Sequence, residues 1–204
     1  MQCIIELLIL LTADKMKKYF KLFLGRFYCM FYRVKYRPNI YIGIGSKLIG
    51  GARIHLSHNV KIMPQAMLVS LRGGIIEIGE NTEISMYSRV ASMGYVKIGN
   101  HVLTGPHVFI ADYNHEYQNP MKPVMYQGNR FTPRNDGEPN LLIDDGTWIG
   151  TNVVIVGNVH IGKNCVIGAN SVVTKDIPDY SVAAGIPAKV IKRYDFEEEE
   201  WVRV

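Results

Sequence analysis

The stretch "IDDGTWIGTNVVIVGNVHIGKNCVIGANSVVTKDIP", residues 143–178, places an aliphatic residue at every sixth position: Ile143, Ile149, Ile155, Ile161, Ile167 and Val173. An α-helix repeats at 3.6 residues and a plain strand at two. The residue two places before each next aliphatic is Thr147, Val153, Val159, Cys165, Ser171 and Ile177, so both columns face the same way on a short strand. Between them, on the opposite side, stand Trp148, Val154, His160, Val166 and Val172. The position after each aliphatic reads Asp144, Gly150, Val156, Gly162, Gly168 and Thr174, where space is tight. The fourth column reads Gly146, Asn152, Asn158, Asn164, Asn170 and Asp176, residue types that tolerate positive φ. Each hexad is therefore a short strand followed by a sharp turn. Three hexads make a triangular coil, and stacked coils bury aliphatic columns that no single coil could bury, which is a parallel β-helix.

The repeat extends upstream. Ile44, Gly50, Leu56, Ile62 and Leu68 keep the spacing, as do Ile78, Ile84 and Val90, and then Ile98, Thr104 and Ile110. Extra residues near Leu71–Gly74 and Met93–Tyr95 are expected to bulge at corners. The coils cover about 42–111 and resume at 142. Between them lies "DYNHEYQNPMKPVMYQGNRFTPRNDGEPNL", an insertion without periodicity, and long insertions in compact domains usually carry function. The organisation expected is a helical, basic amphipathic segment over 1–41, a β-helix domain over 42–185 with an inserted loop at 112–141, and a tail with a short helix over 186–204.

The chain's 204 residues, 48% apolar, suffice for one folded domain. The net charge of +5 is localised: residues 1–37 hold eight Lys/Arg and two acids (8 − 2 = +6), and the remainder 15 bases and 16 acids (15 − 16 = −1). A nucleic-acid footprint over the body is not expected. Cys3, Cys29 and Cys165 offer neither a disulfide framework nor a CxxC pair, which suits a reducing, cytoplasmic setting. Residues 3–11, "CIIELLILL", are too short to span a bilayer and lack the marks of a secretory signal. From Asp14, a candidate N-cap, Phe20, Leu24, Phe27 and Phe31 recur at helical spacing among Lys17, Lys18, Lys21 and Arg26, with Gly25 as a weak point. This face either closes the open end of the body or lies peripherally on an anionic membrane through residues 14–37, and the two roles are compatible.

The hexads, with the block Ser171–Pro178 and Ala184–Lys192 and the His-bearing loop, resemble the hexapeptide-repeat acyltransferases. The branch is that of maltose and galactoside O-acetyltransferases and of capsule or O-antigen O-acetyltransferases. The resemblance covers about 42–193. It implies a left-handed coil, a homotrimer and acetyl-CoA bound between neighbouring subunits, with no metal. It also implies transfer to a hydroxyl of a saccharide or glycan precursor; the cysteines and the basic helix place the chain in the cytoplasm or peripherally at the inner face of the membrane. Outward Val154, Val166 and Val172 independently call for something to cover them.

His115, in "ADYNHEY", matches the family's catalytic base, and histidine suits proton transfer near neutral pH. Asp112 and Glu116 are candidate orienters of its ring, or else ordinary loop acids. For acetyl-CoA the resemblance carries over Trp148, Thr151, Ala169, Thr174, Lys175, Lys189 and Lys192: small residues along the pantetheine, lysines toward the phosphates. Where the galactoside branch has an acceptor-contacting asparagine, this chain reads "EISMYSRVAS"; Ser85, Tyr87 and the loop residue Asn114 are the acceptor candidates. Cys165 belongs to the inward column and is a core residue. "FEEEEW", 196–201, reads as a solvated helical face. Rival readings are N-acetylation of a nucleotide-linked amino sugar and a non-catalytic trimeric scaffold. A zinc site is disfavoured because His101 and His107 lie one triangle side apart and His115 belongs to the loop.

Overall fold

The computed structural model describes residues 16, 19–133 and 137–204. The apolar stretch 3–11 and the proposed Asp14 cap lie outside the described residues.

The chain winds a parallel β-helix of six triangular turns and part of a seventh. The first face carries Lys35–Tyr36, Ile54–Leu56, Ile75–Ile78, Tyr95–Ile98, Leu141–Ile143 and His160–Ile161. The second carries Tyr41–Ile42, Lys61–Ile62, Glu83–Ile84, Leu103–Thr104, Trp148–Ile149, Val166–Ile167 and Ser181–Gly185. The third carries Lys47–Ile49, Met67–Ser70, Arg89–Ser92, Phe109–Ala111, Val154–Val156 and Val172–Val173.

The interior is the two inward columns predicted from the hexads. Ile149, Ile155, Ile161, Ile167 and Val173 are all fully buried, and so are Val153 and Val159 between them. The polar members of the second column are satisfied inside. Thr147 Oγ1 donates to the Gly162 carbonyl at 2.9 Å and accepts from the Cys165 N–H at 3.1 Å. Corner residues take the left-handed backbone expected at Gly146, Asn152, Asn164 and Asn170. The corner from the third to the first face differs. There Gly157 holds the positive φ, and Asn158 instead donates its amide to the Thr132 carbonyl of the insertion. Asp176, at the same corner, accepts the His160 N–H.

Register drifts only at that third-to-first corner. Leu48, Leu68, Val90 and Ile110 stack in one column, separated by 20, 22 and 20 residues, whereas Ile155 and Val173 are 18 apart. The surplus falls at Gly51–Arg53, at Leu71–Gly74 and around Met93–Tyr95, the last two as expected. The first surplus corrects the reading of Ile44 and Gly50 as inward residues. Ile44 is 84% exposed, and Leu48, at 1%, takes the column, because two additional residues precede the second turn.

A helix over 19–31 lies across the open first turn. It closes the core through Gly25, Tyr28 and Cys29 rather than through the predicted face. A Cβ on Gly25 would overlap the Ile40 carbonyl oxygen, so only glycine lets the helix approach this closely. Phe20, Leu24, Phe27 and Phe31 point away and are 46–70% exposed.

The expected C-terminal helix is absent from the described residues. Ala188–Asp195 and Glu200–Arg203 form an antiparallel hairpin added to the second face. Asp195 Oδ1 accepts the N–H groups of Glu197 and Glu198, tying the acidic run into a turn. Tyr194 packs edge-on against Phe196 and Trp201. Aromatic and β-branched residues on both sides of a turn outweigh the helical propensity of four glutamates.

Candidate active site

His115 stands on a small arm built from the insertion. Asn114–His115 pairs antiparallel with Asn129–Arg130, and its ring is exposed. The arm's base is pinned at one place. The buried Asp112 carboxylate accepts from Ser92 Oγ at 2.8 Å, the Met93 N–H at 2.8 Å and the Gly94 N–H at 2.9 Å. The buried Asn140, where the chain returns, accepts the next N–H, that of Tyr95, at 3.1 Å and donates to the Thr132 carbonyl at 2.9 Å. Phe131 lies over Gly94, where any Cβ would clash with its ring. Thus Asp112 faces the coil. Glu116 turns back on the arm, its Oε1 accepting from the N–H groups of Tyr117 and Gln118. Asn114 Oδ1 accepts the His115 N–H. No side chain among the described residues hydrogen-bonds the His115 ring.

The remaining candidates divide between two places. Along the second face an outward column runs Leu103, Trp148, Val166, Val182, Lys192. Trp148 is 53% exposed. Along the third face a parallel column runs Phe109, Val154, Val172. Between them, at the second-to-third corner, lies a strip of small residues that includes Gly105, Thr151 and Ala169. A Cβ on Gly105 or Gly150 would press on the backbone of the next turn. Small side chains between two apolar walls leave backbone amides accessible, the surface a narrow amide-bearing chain requires. Lys189 pairs with Ala184 at the top of this region.

Two turns below Thr151 on the same corner, Tyr87 is exposed and stacks on His107, with ring centroids 5.0 Å apart and an interplanar angle of 8°. Both residues hold positive φ. Ser85 is buried, its N–H bonded to Thr104 Oγ1 at 2.8 Å.

His115, Thr174 and Lys175 belong to the other group. They lie at the third-to-first corner, across the third face, and both Thr174 and Lys175 are exposed. From His107 to Asp112 the strand alone spans roughly 16 Å. The catalytic candidate and the small-residue strip are therefore not adjacent within one chain. His101 and His107 occupy successive corners of one turn, and among the described residues no three His, Cys, Asp or Glu side chains converge. Both described thiols are buried: burial pushes Cys29 up to about 12 and raises Cys165, so neither is a ready nucleophile.

Sequence reasoning missed Asn140 and Ser92, and considered His107 only as a zinc ligand. His107 alone carried a signal, because it occupies the hexad column reserved for turn residues. The partnership of Asp112 with residues 92–94 joins neighbouring turns and has no mark in the local sequence.

The family model "Bacterial transferase hexapeptide (six repeats)" matches residues 140–175. The putative lipopolysaccharide biosynthesis O-acetyl transferase WbbJ of Escherichia coli K12 is 35% identical over 131 residues, 63% of this chain and 65% of that protein. The galactoside O-acetyltransferase of the same strain is 36% identical over 132 residues, 63% of this chain and 59% of that protein. Among solved structures, the N-acyltransferase AntD of Bacillus cereus, in complex with a dTDP-amino sugar and coenzyme A, superposes with a TM-score of 0.65 at 19% identity. It covers 81% of this chain and 84% of that one. The chain is a hexapeptide-repeat β-helix protein, related to the galactoside and lipopolysaccharide O-acetyltransferases. It spans less than two thirds of the length of these two curated relatives.

Proposed function

We propose that the chain transfers an acetyl group from acetyl-CoA to a nucleophile on a sugar, with His115 as general base. The observation that carries this is the division of the site. His115 sits at one corner of the triangle, and a small-residue strip walled by Trp148 and Phe109 sits at another. A homotrimer supplies both at each interface, the arm of one subunit meeting the strip of the next. Support comes from the arm's exposed Met121, Met125 and Tyr126, which are 64–90% exposed and need a partner surface.

In this reading the pantetheine lies along Thr151 and Ala169 beside Trp148. Thr174, Lys175, Lys189 and Lys192 meet the phosphates, contributed by the two subunits at the interface. The acceptor rests against Tyr87, Ser85 and Asn114. The His115 imidazole takes the acceptor's proton as its oxygen or nitrogen attacks the thioester carbonyl carbon. The tetrahedral intermediate collapses, the C–S bond breaks, and the leaving thiolate recovers the proton from the imidazolium. Asp112 holds the arm in place rather than the ring, and Glu116 stiffens its first turn. Peripheral contact of residues 14–37 with the inner face of a membrane belongs to the same reading.

The relatives at 35–36% identity are O-acetyltransferases and favour a hydroxyl, as in polysaccharide biosynthesis. The solved neighbours favour the second reading, an amine on a nucleotide-linked sugar: the match to AntD exceeds that to a galactoside acetyltransferase with coenzyme A, TM-score 0.53 at 26% identity. Incubation with acetyl-CoA and either a dTDP-amino sugar or a glycan lacking amines separates the two. A chain whose thermal stability is unmoved by CoA, and which acetylates neither, is a scaffold.

A further inference from the structure

The helix over 19–31 has two apolar faces, and the core uses only one. Gly25, Tyr28 and Cys29 close the first turn. Tyr19, Phe20, Phe23, Phe27, Met30 and Phe31 face outward, each 56–70% exposed. Residues 19–37 include Lys21, Arg26, Arg33, Lys35 and Arg37, all exposed, and no acid. Among the described residues no helix is long and apolar enough to cross a bilayer. A second apolar face rimmed only by cations matches the interface of an anionic bilayer, where aromatic rings sit at the acyl boundary and Lys and Arg reach the phosphates.

We infer that this outward stripe is a docking surface for an anionic membrane and that it stands the β-helix on its first turn. The inference rests on the peripheral contact proposed above, and it assigns the residues and the orientation. The helix lies across the end of the coil, so its outward face looks along the coil axis. His115 leaves the fourth turn, three inter-strand steps from the first, or roughly 15 Å. Adding one helix diameter of about 10 Å places the arm some 25 Å from the lipid. The site then faces acceptors gathered at the membrane surface rather than inserted in it.

The test is co-sedimentation of the full chain with vesicles of phosphatidylcholine and phosphatidylglycerol at 7:3, and with phosphatidylcholine alone. The expected result is binding to the anionic vesicles that weakens with salt, and about hundredfold weaker partitioning of the triple variant Phe20→Ser, Phe23→Ser, Phe27→Ser. That variant leaves Gly25, Tyr28 and Cys29 untouched and should keep its melting temperature and its CoA-induced thermal shift, so a failure of docking is read separately from a failure of acyl transfer. Lys21→Glu with Arg26→Glu should remove the preference for anionic lipid. Wild-type protein that stays in the supernatant with both vesicles overturns the inference. So does a triple variant whose only change is a smaller assembly in solution, which would assign the stripe to contact between copies.

Discussion

Asp112 and Asn140 grip three successive backbone N–H groups of the fourth turn, Asp112 taking Met93 and Gly94 and Asn140 taking Tyr95. One residue stands where the insertion leaves the coil, the other where it returns. The arm that carries His115 is thereby fastened to the rigid part of the fold at both stems. Asp112→Ala leaves the Ser92 hydroxyl, the buried Met93 N–H and the half-buried Gly94 N–H without their acceptor. The expected cost is about 3 kcal/mol or more in urea denaturation. Turnover should fall while the KM for acetyl-CoA holds, because the arm loses its position and the cofactor strip does not.

His115→Ala should lower kcat by about 10²–10⁴-fold. The variant should keep its assembly and still show a CoA-induced rise in melting temperature, since an exposed ring on an arm supports no core. His115→Gln should not recover activity, because an amide does not take up a proton at neutral pH. Near-normal turnover in His115→Ala, with an acceptor the wild type uses, would show that the base lies elsewhere.

Ile161 is fully buried between Ile143 and Ile177 in the inward column. Ile161→Asn places an unpaired amide in that stack and should cost on the order of a few kcal/mol. A lowered denaturant midpoint with a retained circular dichroism spectrum at low temperature is the expected signature.

Lys175→Glu and Lys189→Glu should each raise the KM for acetyl-CoA more than they lower kcat. Contacts to phosphates far from the thioester bind ground and transition states alike. Their places on different corners add a sharper expectation for the assembled protein. Mixed oligomers of the two single variants should regain partial activity, because some interfaces then combine two unaltered surfaces.

Glu77 on the first face bonds to His55 Nδ1 at 3.1 Å and accepts from the Tyr95 hydroxyl at 2.6 Å. Burial alone would raise its carboxyl, but the bonds from Tyr95 and His55, with Lys97 nearby, outweigh it and hold it below the ordinary 4.5. A carboxylate depressed in the folded state adds stability that is full above its unfolded value and is lost as pH falls through the folded one. Wild-type melting temperature should therefore decline below about pH 4.5 more steeply than that of Glu77→Gln. Parallel curves for the two proteins would remove Glu77 from the account.

The sequence by itself determined what depends on neighbours along the chain and on their repetition. Ile149 through Val173 recur at six because only stacked coils bury them, and Gly146 or Asn164 stands where a corner demands positive φ. His115 stood out as a candidate because it lies in the insertion that interrupts the repeat and matches the catalytic histidine of the family the chain resembles. Tertiary structure alone decided three other matters. It chose which apolar stripe of the helix meets the core, through the close approach of Gly25 to Ile40, a contact no periodicity encodes. It turned the acidic tail into a hairpin, because a strand edge at Ser181–Gly185 was there to pair with. It also gave Asp112 to Ser92 and the backbone of Met93 and Gly94 rather than to His115, since N–H groups one turn back compete for a carboxylate that local sequence had set three residues from the imidazole.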